Sequence, residues 1–122
     1  MKYINQCFII GCLVMTLSAC VDDKDKELIL GEWKGTEWLV NGGPSSYVPE
    51  MVTFTFNDDA EYTFQYGDSV EAGKYFISNK QLFTTPDGGM KIMVKVLKLT
   101  DDALVFDMNR GGQSEQLTLT RK

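Results

Sequence analysis

From residue 28 onward the sequence repeats one pattern, in which short runs of alternating apolar and polar residues are separated by turn-forming residues. The clearest run is Glu61 to Tyr66, where Tyr62, Phe64 and Tyr66 alternate with polar side chains. An alternation of period two is typical of a β-strand with one buried and one solvated face. No long stretch past residue 28 has the apolar spacing of an amphipathic helix, so the pattern predicts an all-β domain.

Eight runs of this kind follow one another through short connections rich in Gly, Asn, Asp and Pro. The predicted strands are Leu28–Val40, Met51–Phe56, Glu61–Tyr66, Val70–Ser78, Gln81–Thr85, Met90–Thr100, Ala103–Met108 and Gln113–Arg121. Without a helix to cover an edge, such a sheet leaves unpaired backbone on its two outer strands, and closure removes both edges. We therefore predict an eight-stranded antiparallel up-and-down β-barrel whose first strand pairs with the eighth. A two-sheet β-sandwich is the alternative.

Two strands carry signs of an irregular register. In a regular first strand Glu37 would face the interior, whereas a bulge at Gly35 turns Glu37 outward and Trp38 inward. We favour the bulge because it avoids an unpaired buried carboxylate. In the sixth strand the apolar side changes near Val96 and Leu97, which indicates a second bulge or strong coiling.

The first 20 residues differ from the rest of the chain. A short positive start at residues 1–3 precedes an apolar run from Cys7 to Leu17, and small residues then lead to Cys20. This order resembles a bacterial lipoprotein signal peptide with its lipobox at Leu17–Cys20. A transmembrane helix is the alternative, but the run is shorter than the ~20 residues that span a bilayer. We expect residues 1–19 to be the signal peptide and Cys20 to carry the lipid.

Residues 20–27 would then be the lipidated cysteine with a solvated acidic tether, and residues 28–122 the barrel domain. Acidic residues directly after the cysteine resemble the surface-export signal of outer-membrane lipoproteins in some Gram-negative lineages. The residues that carry this resemblance are Asp22, Asp23 and Asp25. We expect a lipid-anchored protein of the outer membrane, facing either the periplasm or the cell surface.

The charge and cysteine content constrain the partners. The chain has a formal net charge of −5, and loss of Lys2 with the signal peptide would make it −6. This excess of acid disfavours nucleic acid and direct docking on anionic lipid, so the membrane partner is expected to be reached through the lipid on Cys20. Cys7 and Cys12 would leave with the signal peptide, so the mature domain could form no internal disulfide.

The sequence offers little for catalysis. The chain has no histidine, which excludes Ser-His and Cys-His pairs and the usual imidazole-based metal sites. Carboxylates remain as catalytic candidates, but Asp58, Asp59, Asp101 and Asp102 lie in predicted turns and no run has the spacing of a calcium loop. We predict no enzyme activity, no cofactor and no metal.

One motif carries a family resemblance. Gly31-Glu32-Trp33 on the first predicted strand matches the Gly-x-Trp motif of lipocalins, and Arg121 ends the last strand, where lipocalins carry an arginine. The chain resembles a small bacterial lipocalin-like lipoprotein, that is, a lipocalin or calycin-type barrel behind a lipoprotein signal peptide. The resemblance implies that Arg121 packs across Trp33 at the closed end of the barrel. The domain is shorter than a typical lipocalin and lacks its C-terminal helix and disulfide, which argues against a large cavity.

The interior is expected to be rich in aromatic rings. The rings predicted to face inward are Trp33, Trp38, Phe54, Phe56, Tyr62, Phe64, Tyr66, Tyr75 and Phe106. Eight strands enclose either a filled core or one small ligand, and this many rings favours a filled interior. A pocket, if present, would lie opposite Trp33 under the Asn41–Glu50 loop. Its predicted ligand-binding residues are Tyr47 as a lid and Tyr62, Tyr66 and Tyr75 as hydroxyl donors beside apolar walls.

A second candidate site is on the outer wall. Phe76, Phe83 and Met93 would form an exposed apolar patch on three successive strands, bordered by lysines, unless the short fifth strand has the opposite parity and buries Phe83. Two functions are therefore open. The chain is either a lipid-anchored binding protein for a small apolar or amphipathic ligand, or an interaction module with a filled barrel that docks a protein partner or forms a homodimer.

Overall fold

A computed structural model describes residues 24–122, which form one antiparallel sheet closed into a barrel. The strands are β1 (Gly31–Val40), β2 (Gly43–Pro44), β3 (Val52–Phe56), β4 (Glu61–Tyr66), β5 (Ser69–Ser78), β6 (Gln81–Pro86), β7 (Ile92–Leu99), β8 (Ala103–Arg110) and β9 (Gln113–Arg121). A 3₁₀ turn, Pro49–Met51, precedes β3. The predicted eight-stranded barrel is confirmed, with the two-residue β2 as one additional strand on the end of β1. The predicted signal peptide and Cys20 lie outside the described residues.

The first strand closes the barrel because it pairs on both of its edges. Trp33 lies opposite Phe54 of β3 on one side and opposite Arg121 of β9 on the other. Closure leaves no long unpaired edge, which is why the fold needs no covering helix. The predicted bulge is also confirmed, because the register with β9 shifts between Gly35 and Glu37. As a result, Trp38 is buried and Glu37 is exposed.

The second predicted bulge is confirmed in β7. The register with β8 shifts between Val96 and Lys98, so the extra residue Leu97 turns outward and is 54% exposed. Val96 and Leu99 both remain buried in the core. The bulge thus explains how one strand keeps apolar residues of opposite parity inside the same barrel.

The barrel has two unlike ends. The closed end carries the start of β1, the turns at residues 57–60, 79–80 and 100–102, and the end of β9. The open end carries the 41–51 loop, a tight turn at residues 67–68, the 87–91 connection and the 111–112 turn.

The segment before β1 differs from the prediction. Residues 24–28 are helical, and β1 begins at Gly31 rather than at Leu28. Ile29 is fully buried, and Asp25, which is 8% exposed, lies 3.2 Å from the ammonium of Lys80. The described part of the acidic segment is therefore not an extended tether, since it packs across the closed end. A single helical turn is too short to show the apolar periodicity of an amphipathic helix.

The core of the described residues lies within the barrel. Its largest fully buried side chains include Trp33, Tyr62, Phe56 and Phe106. Among residues 24–122 the buried apolar side chains fall between Ile29 and Leu119, and they form one core inside a closed sheet. No helix in this part of the chain is long and apolar enough to span a membrane.

Candidate functional site

The closed end is built around Arg121. Its guanidinium lies over the ring of Trp33, with Cζ 4.2 Å from the ring centroid. Its three nitrogens donate to carbonyls, with Nη1 2.6 Å from Leu30 O, Nη2 2.5 Å from Leu28 O and Nε 2.6 Å from Asp101 O. One side chain therefore ties the last strand to the helical segment, the start of β1 and the turn before β8.

Gly31 is required by this arrangement. Its φ of +114° is unfavourable for other residues, and a Cβ there would lie 2.9 Å from Nη1 of Arg121. The indole Nε1 of Trp33 donates to Ile29 O at 2.8 Å, so its one polar group is satisfied in the core. The motif residues Gly31, Trp33 and Arg121 thus close the barrel interior at this end.

A cavity of about 250 Å³ lies in the opposite half of the barrel. Its walls are mainly apolar and aromatic side chains from both sides of the barrel, and its few polar groups lie near the opening. The lining residues are Trp38, Phe54, Tyr62, Phe64, Glu71, Leu82, Thr84, Ile92, Met93, Val94, Phe106, Met108, Asn109, Arg110 and Leu117. The interior is therefore filled at the closed end and partly empty towards the open end.

Tyr62 and Glu71 form the polar part of one cavity wall. The Tyr62 hydroxyl donates to Oε2 of Glu71 at 2.7 Å. Burial raises the pKa of Tyr62 above its usual value, and the hydrogen bond to the Glu71 carboxylate raises it further. The phenol thus remains protonated and acts as a donor that orients Glu71 at the mouth of the cavity.

A second inward-facing carboxylate, Glu115 of β9, lies beside the cavity-lining residues Trp38 and Arg110. Glu115 is 5% exposed, and its Oε1 accepts a hydrogen bond from the Trp38 indole at 2.8 Å. Its Oε2 lies 3.8 Å from Nε of Arg110, whose side chain is 56% exposed. The buried carboxylate is therefore satisfied by one hydrogen bond and one nearby cation, as buried charges generally are.

An aromatic cluster of Trp38, Tyr47 and Tyr66 covers part of the open end. Tyr47 stacks on Trp38 with ring centroids 4.5 Å apart, and Tyr66 meets both rings edge-on. The Tyr66 hydroxyl accepts a hydrogen bond from the backbone N–H of Val48 at 2.9 Å, which fixes the 41–51 loop in place. Of the three rings only Trp38 lines the cavity, so Tyr47 and Tyr66 lie outside it.

Tyr75 lies away from the cavity as well. Its hydroxyl donates to Asn57 O at 2.8 Å, and its ring packs against Phe56, which places the side chain towards the closed end. Burial raises its pKa, with a further contribution from Asp59. Of the four tyrosines predicted to bind a ligand, only Tyr62 lines the cavity.

The outer wall carries the predicted apolar patch of Phe76, Phe83 and Met93, of which Met93 also reaches the edge of the cavity. Phe76 pairs with Phe83 across β5 and β6, and Phe83 pairs with Met93 across β6 and β7. The two phenyl rings stack at 4.6 Å, and the Lys91 ammonium lies 5.1 Å from each centroid. Phe76 is 48% and Met93 44% exposed, so the fifth predicted strand keeps the parity that directs Phe83 outward.

Sequence reasoning missed the two carboxylates of the cavity region. Glu71 has the parity of Gly73, Tyr75 and Ile77 in β5, and Glu115 has the parity of Leu117 in β9. Strand parity alone therefore indicated that both acids face the interior. Nothing in the sequence indicated that Arg110 would fold back towards Glu115 from the end of β8.

The aspartates considered for catalysis lie in turns of the closed end. Asp58, Asp59, Asp101 and Asp102 are all exposed and far along the barrel from the cavity. Two of them have structural roles, since Asp59 accepts a hydrogen bond from Glu61 N and Asp102 accepts one from the Thr100 hydroxyl. Across residues 24–122, no group of three or more Cys, Asp or Glu side chains is placed to hold a metal ion.

Comparisons with known proteins agree with this geometry. The model of the lipocalin-like domain family matches residues 29–106. Among solved structures, a lipocalin-like protein from Bacteroides uniformis has a TM-score of 0.60 at 16% identity, covering 77% of this chain and 98% of that one. An uncharacterized protein from Bacteroides eggerthii has a TM-score of 0.60 at 14% identity, covering 77% of this chain and 99% of that one. No curated protein matches the chain. Because the family match spans more than half of its length, this chain belongs to the lipocalin-like domain family.

Proposed function

We propose that the protein is a lipid-anchored, non-enzymatic binding protein of the bacterial cell envelope, which holds a small apolar or amphipathic ligand in the cavity at the open end. The observation that carries this proposal is an apolar cavity of about 250 Å³ in a barrel that is otherwise packed. The space is lined mainly by apolar and aromatic side chains with a few polar groups, as small-ligand sites generally are.

The cavity volume limits the ligand. An apolar cavity of roughly 150 Å³ in a protein core can hold benzene, whereas pockets for drug-sized ligands run from about 300 Å³ upward. At about 250 Å³ the cavity fits a single ring or a short alkyl chain. A long fatty acid would extend far outside it.

Calorimetric titration of residues 24–122 with octan-1-ol tests the binding function. Val94 lines the cavity, so Val94→Phe fills the space and should weaken binding at least about tenfold. Leu97→Phe is the matched control, because the same strand carries Leu97 on its outer face, where it is 54% exposed. Circular dichroism would establish that both variants fold. Absence of binding to the unchanged domain, or equal binding to both variants, would refute the proposal.

The proposed anchor is Cys20 behind a signal peptide at residues 1–19, in the outer membrane and facing the periplasm or the cell surface. Its support is the order of the sequence: a positive start, an apolar run and small residues before the cysteine. Replacing Cys20 by Ala in the full chain should move the protein from the membrane fraction to the soluble fraction. Retention of the variant in membranes would refute the anchor.

The anchor, if present, fixes the orientation of the barrel. Residues 24–28 pack across the closed end, and the four peptide units between Cys20 and Lys24 span at most about 14 Å. The closed end would therefore face the bilayer, and the cavity would open away from it. A ligand would be exchanged with the aqueous phase or with a partner, and not directly with the membrane that holds the anchor.

The apolar patch on the outer wall supports a second candidate function, a scaffold that docks a protein partner or a second copy of the chain. The stacked pair of Phe76 and Phe83 is partly exposed, with Lys91 beside it, and such patches often mark interfaces. Analytical ultracentrifugation of the domain and of Phe76→Ser would test the homodimer. A concentration-dependent dimer that the substitution abolishes would favour the scaffold over the binding protein.

A further inference from the structure

The carboxylate of Glu71 places a negative charge at the polar end of the cavity. Its Oε2 accepts the Tyr62 hydroxyl at 2.7 Å, and no Lys or Arg among the described residues forms an ion pair with it. Strand parity directs the Glu71 side chain towards the interior, where it is exposed at the mouth of the cavity. One carboxylate oxygen therefore remains accessible to a ligand. Apolar walls lie directly below it.

The cations near the mouth have other partners. Arg110 lies 3.8 Å from the buried Glu115, and the Lys91 ammonium lies over the Phe76 and Phe83 rings on the outer wall. Lys74 pairs with Glu61 at 3.0 Å, also on the outside. The charge of Glu71 is therefore not neutralised by the protein.

A second acid strengthens the negative potential at this end. Asp87 lies in the connection after β6 and is tied to the strand that carries Glu71, because its N–H donates to Ala72 O at 2.9 Å. Both Glu71 and Asp87 contribute to raising the pKa of Tyr62, although burial is the larger cause. Glu71 and Asp87 thus give their side of the mouth a negative potential.

We propose that the ligand is a small cationic amphiphile, a primary ammonium on a short alkyl or aromatic group, whose ammonium pairs with Glu71 while its apolar part fills the cavity between Phe64, Leu82 and Phe106. The inference rests on the proposed binding function and specifies its ligand class. An ammonium offers three donors to the free carboxylate oxygen and to nearby acceptors. A carboxylate ligand would instead face an uncompensated like charge.

Three probes of equal chain length test the inference by calorimetry at neutral pH: octylamine, octan-1-ol and octanoate. We expect octylamine to bind about fivefold more tightly than octan-1-ol, the range of a solvent-exposed ion pair, and octanoate to bind most weakly. The preference for the amine should shrink at high salt, because the pair is exposed.

Two substitutions locate the effect. Glu71→Gln keeps an oxygen to accept the Tyr62 hydrogen bond, so it should fold and lose the preference for octylamine over octan-1-ol. Glu61→Gln is the matched control, since it removes an acid from the outer face of the adjacent strand and should leave the preference unchanged. Equal affinity of the unchanged protein for amine and alcohol would overturn the inference and leave the binding function intact. Failure of all three probes to bind would overturn the binding function as well.

Discussion

At the scale of single residues, Arg121 combines a contact with the Trp33 ring and three hydrogen bonds to backbone carbonyls. A lysine in its place offers a compact ammonium that can reach at most one of the three carbonyls, and it loses the planar contact with Trp33. We expect Arg121→Lys to lower the free energy of unfolding by about 2–4 kcal/mol, because hydrogen bonds to charged groups contribute roughly 1.5–3 kcal/mol each and the stacking on Trp33 is lost as well. Urea denaturation followed by Trp fluorescence measures the change.

The control for this prediction is Arg110→Lys. Arg110 is more than half exposed and lies 3.8 Å from its partner, so the same chemical change should cost less than about 1 kcal/mol. If the two substitutions cost the same, the closed end is not held together as described.

Tyr62 makes the stability of the barrel depend on pH in the alkaline range. The pKa of Tyr62 is raised in the folded state, so this tyrosine contributes stability that is complete below the unfolded pKa of about 10 and is lost as pH rises above that value. We expect the free energy of unfolding to fall between about pH 9 and pH 11, and to fall less steeply in Tyr62→Phe. Tyr75, whose pKa is also raised, should sustain part of the fall in that variant. Urea titrations at both pH values test this, and parallel slopes for the two proteins would contradict it.

At the scale of elements, the contact between β1 and the 3₁₀ turn depends on a glycine. A Cβ at Gly35 would meet the carbonyl oxygen of Pro49 and the side chain of Val52, both of which are held by the barrel. We expect Gly35→Ala to destabilise the domain by about 1–3 kcal/mol, as overpacking typically does. Thermal unfolding by calorimetry measures the loss.

Gly43→Ala is the matched control for Gly35→Ala. Gly43 also has no positive φ, and a Cβ there would be 3.8 Å from the nearest atom, Val40 O. Its effect should stay within about 0.5 kcal/mol. If Gly43→Ala lowered the stability of the domain and Gly35→Ala did not, the 3₁₀ turn would not pack against β1 as described.

The elements also show why the sequence predicted some features and missed others. Alternation identified the eight strands, and conflicts in that alternation at Glu37 and Leu97 identified both bulges, since a bulge reverses strand parity. The helical turn at residues 24–28 was missed because five residues are too few to show the apolar spacing of an amphipathic helix. It forms where Ile29 is buried at the closed end of the barrel and Asp25 forms an ion pair with Lys80. Such tertiary contacts leave no local pattern in the sequence.

At the scale of the whole molecule, the cavity was the feature that the sequence could least predict. The aromatic content favoured a filled interior, and the closed half is filled. In the other half Tyr47 stacks on Trp38 and Tyr75 turns towards Asn57, so neither ring fills the cavity. The volume that remains depends on side-chain rotamers and on the path of one loop, which strand parity does not determine.

The central claim is that a small apolar ligand enters this cavity. The most direct measurement is a ¹H–¹⁵N correlation spectrum of residues 24–122 titrated with octan-1-ol. The account predicts saturable shifts at the cavity residues Leu82, Val94 and Leu117, with Ile29 at the closed end unchanged. A spectrum that does not change, or shifts confined to Phe76 and its neighbours on the outer wall, would contradict it.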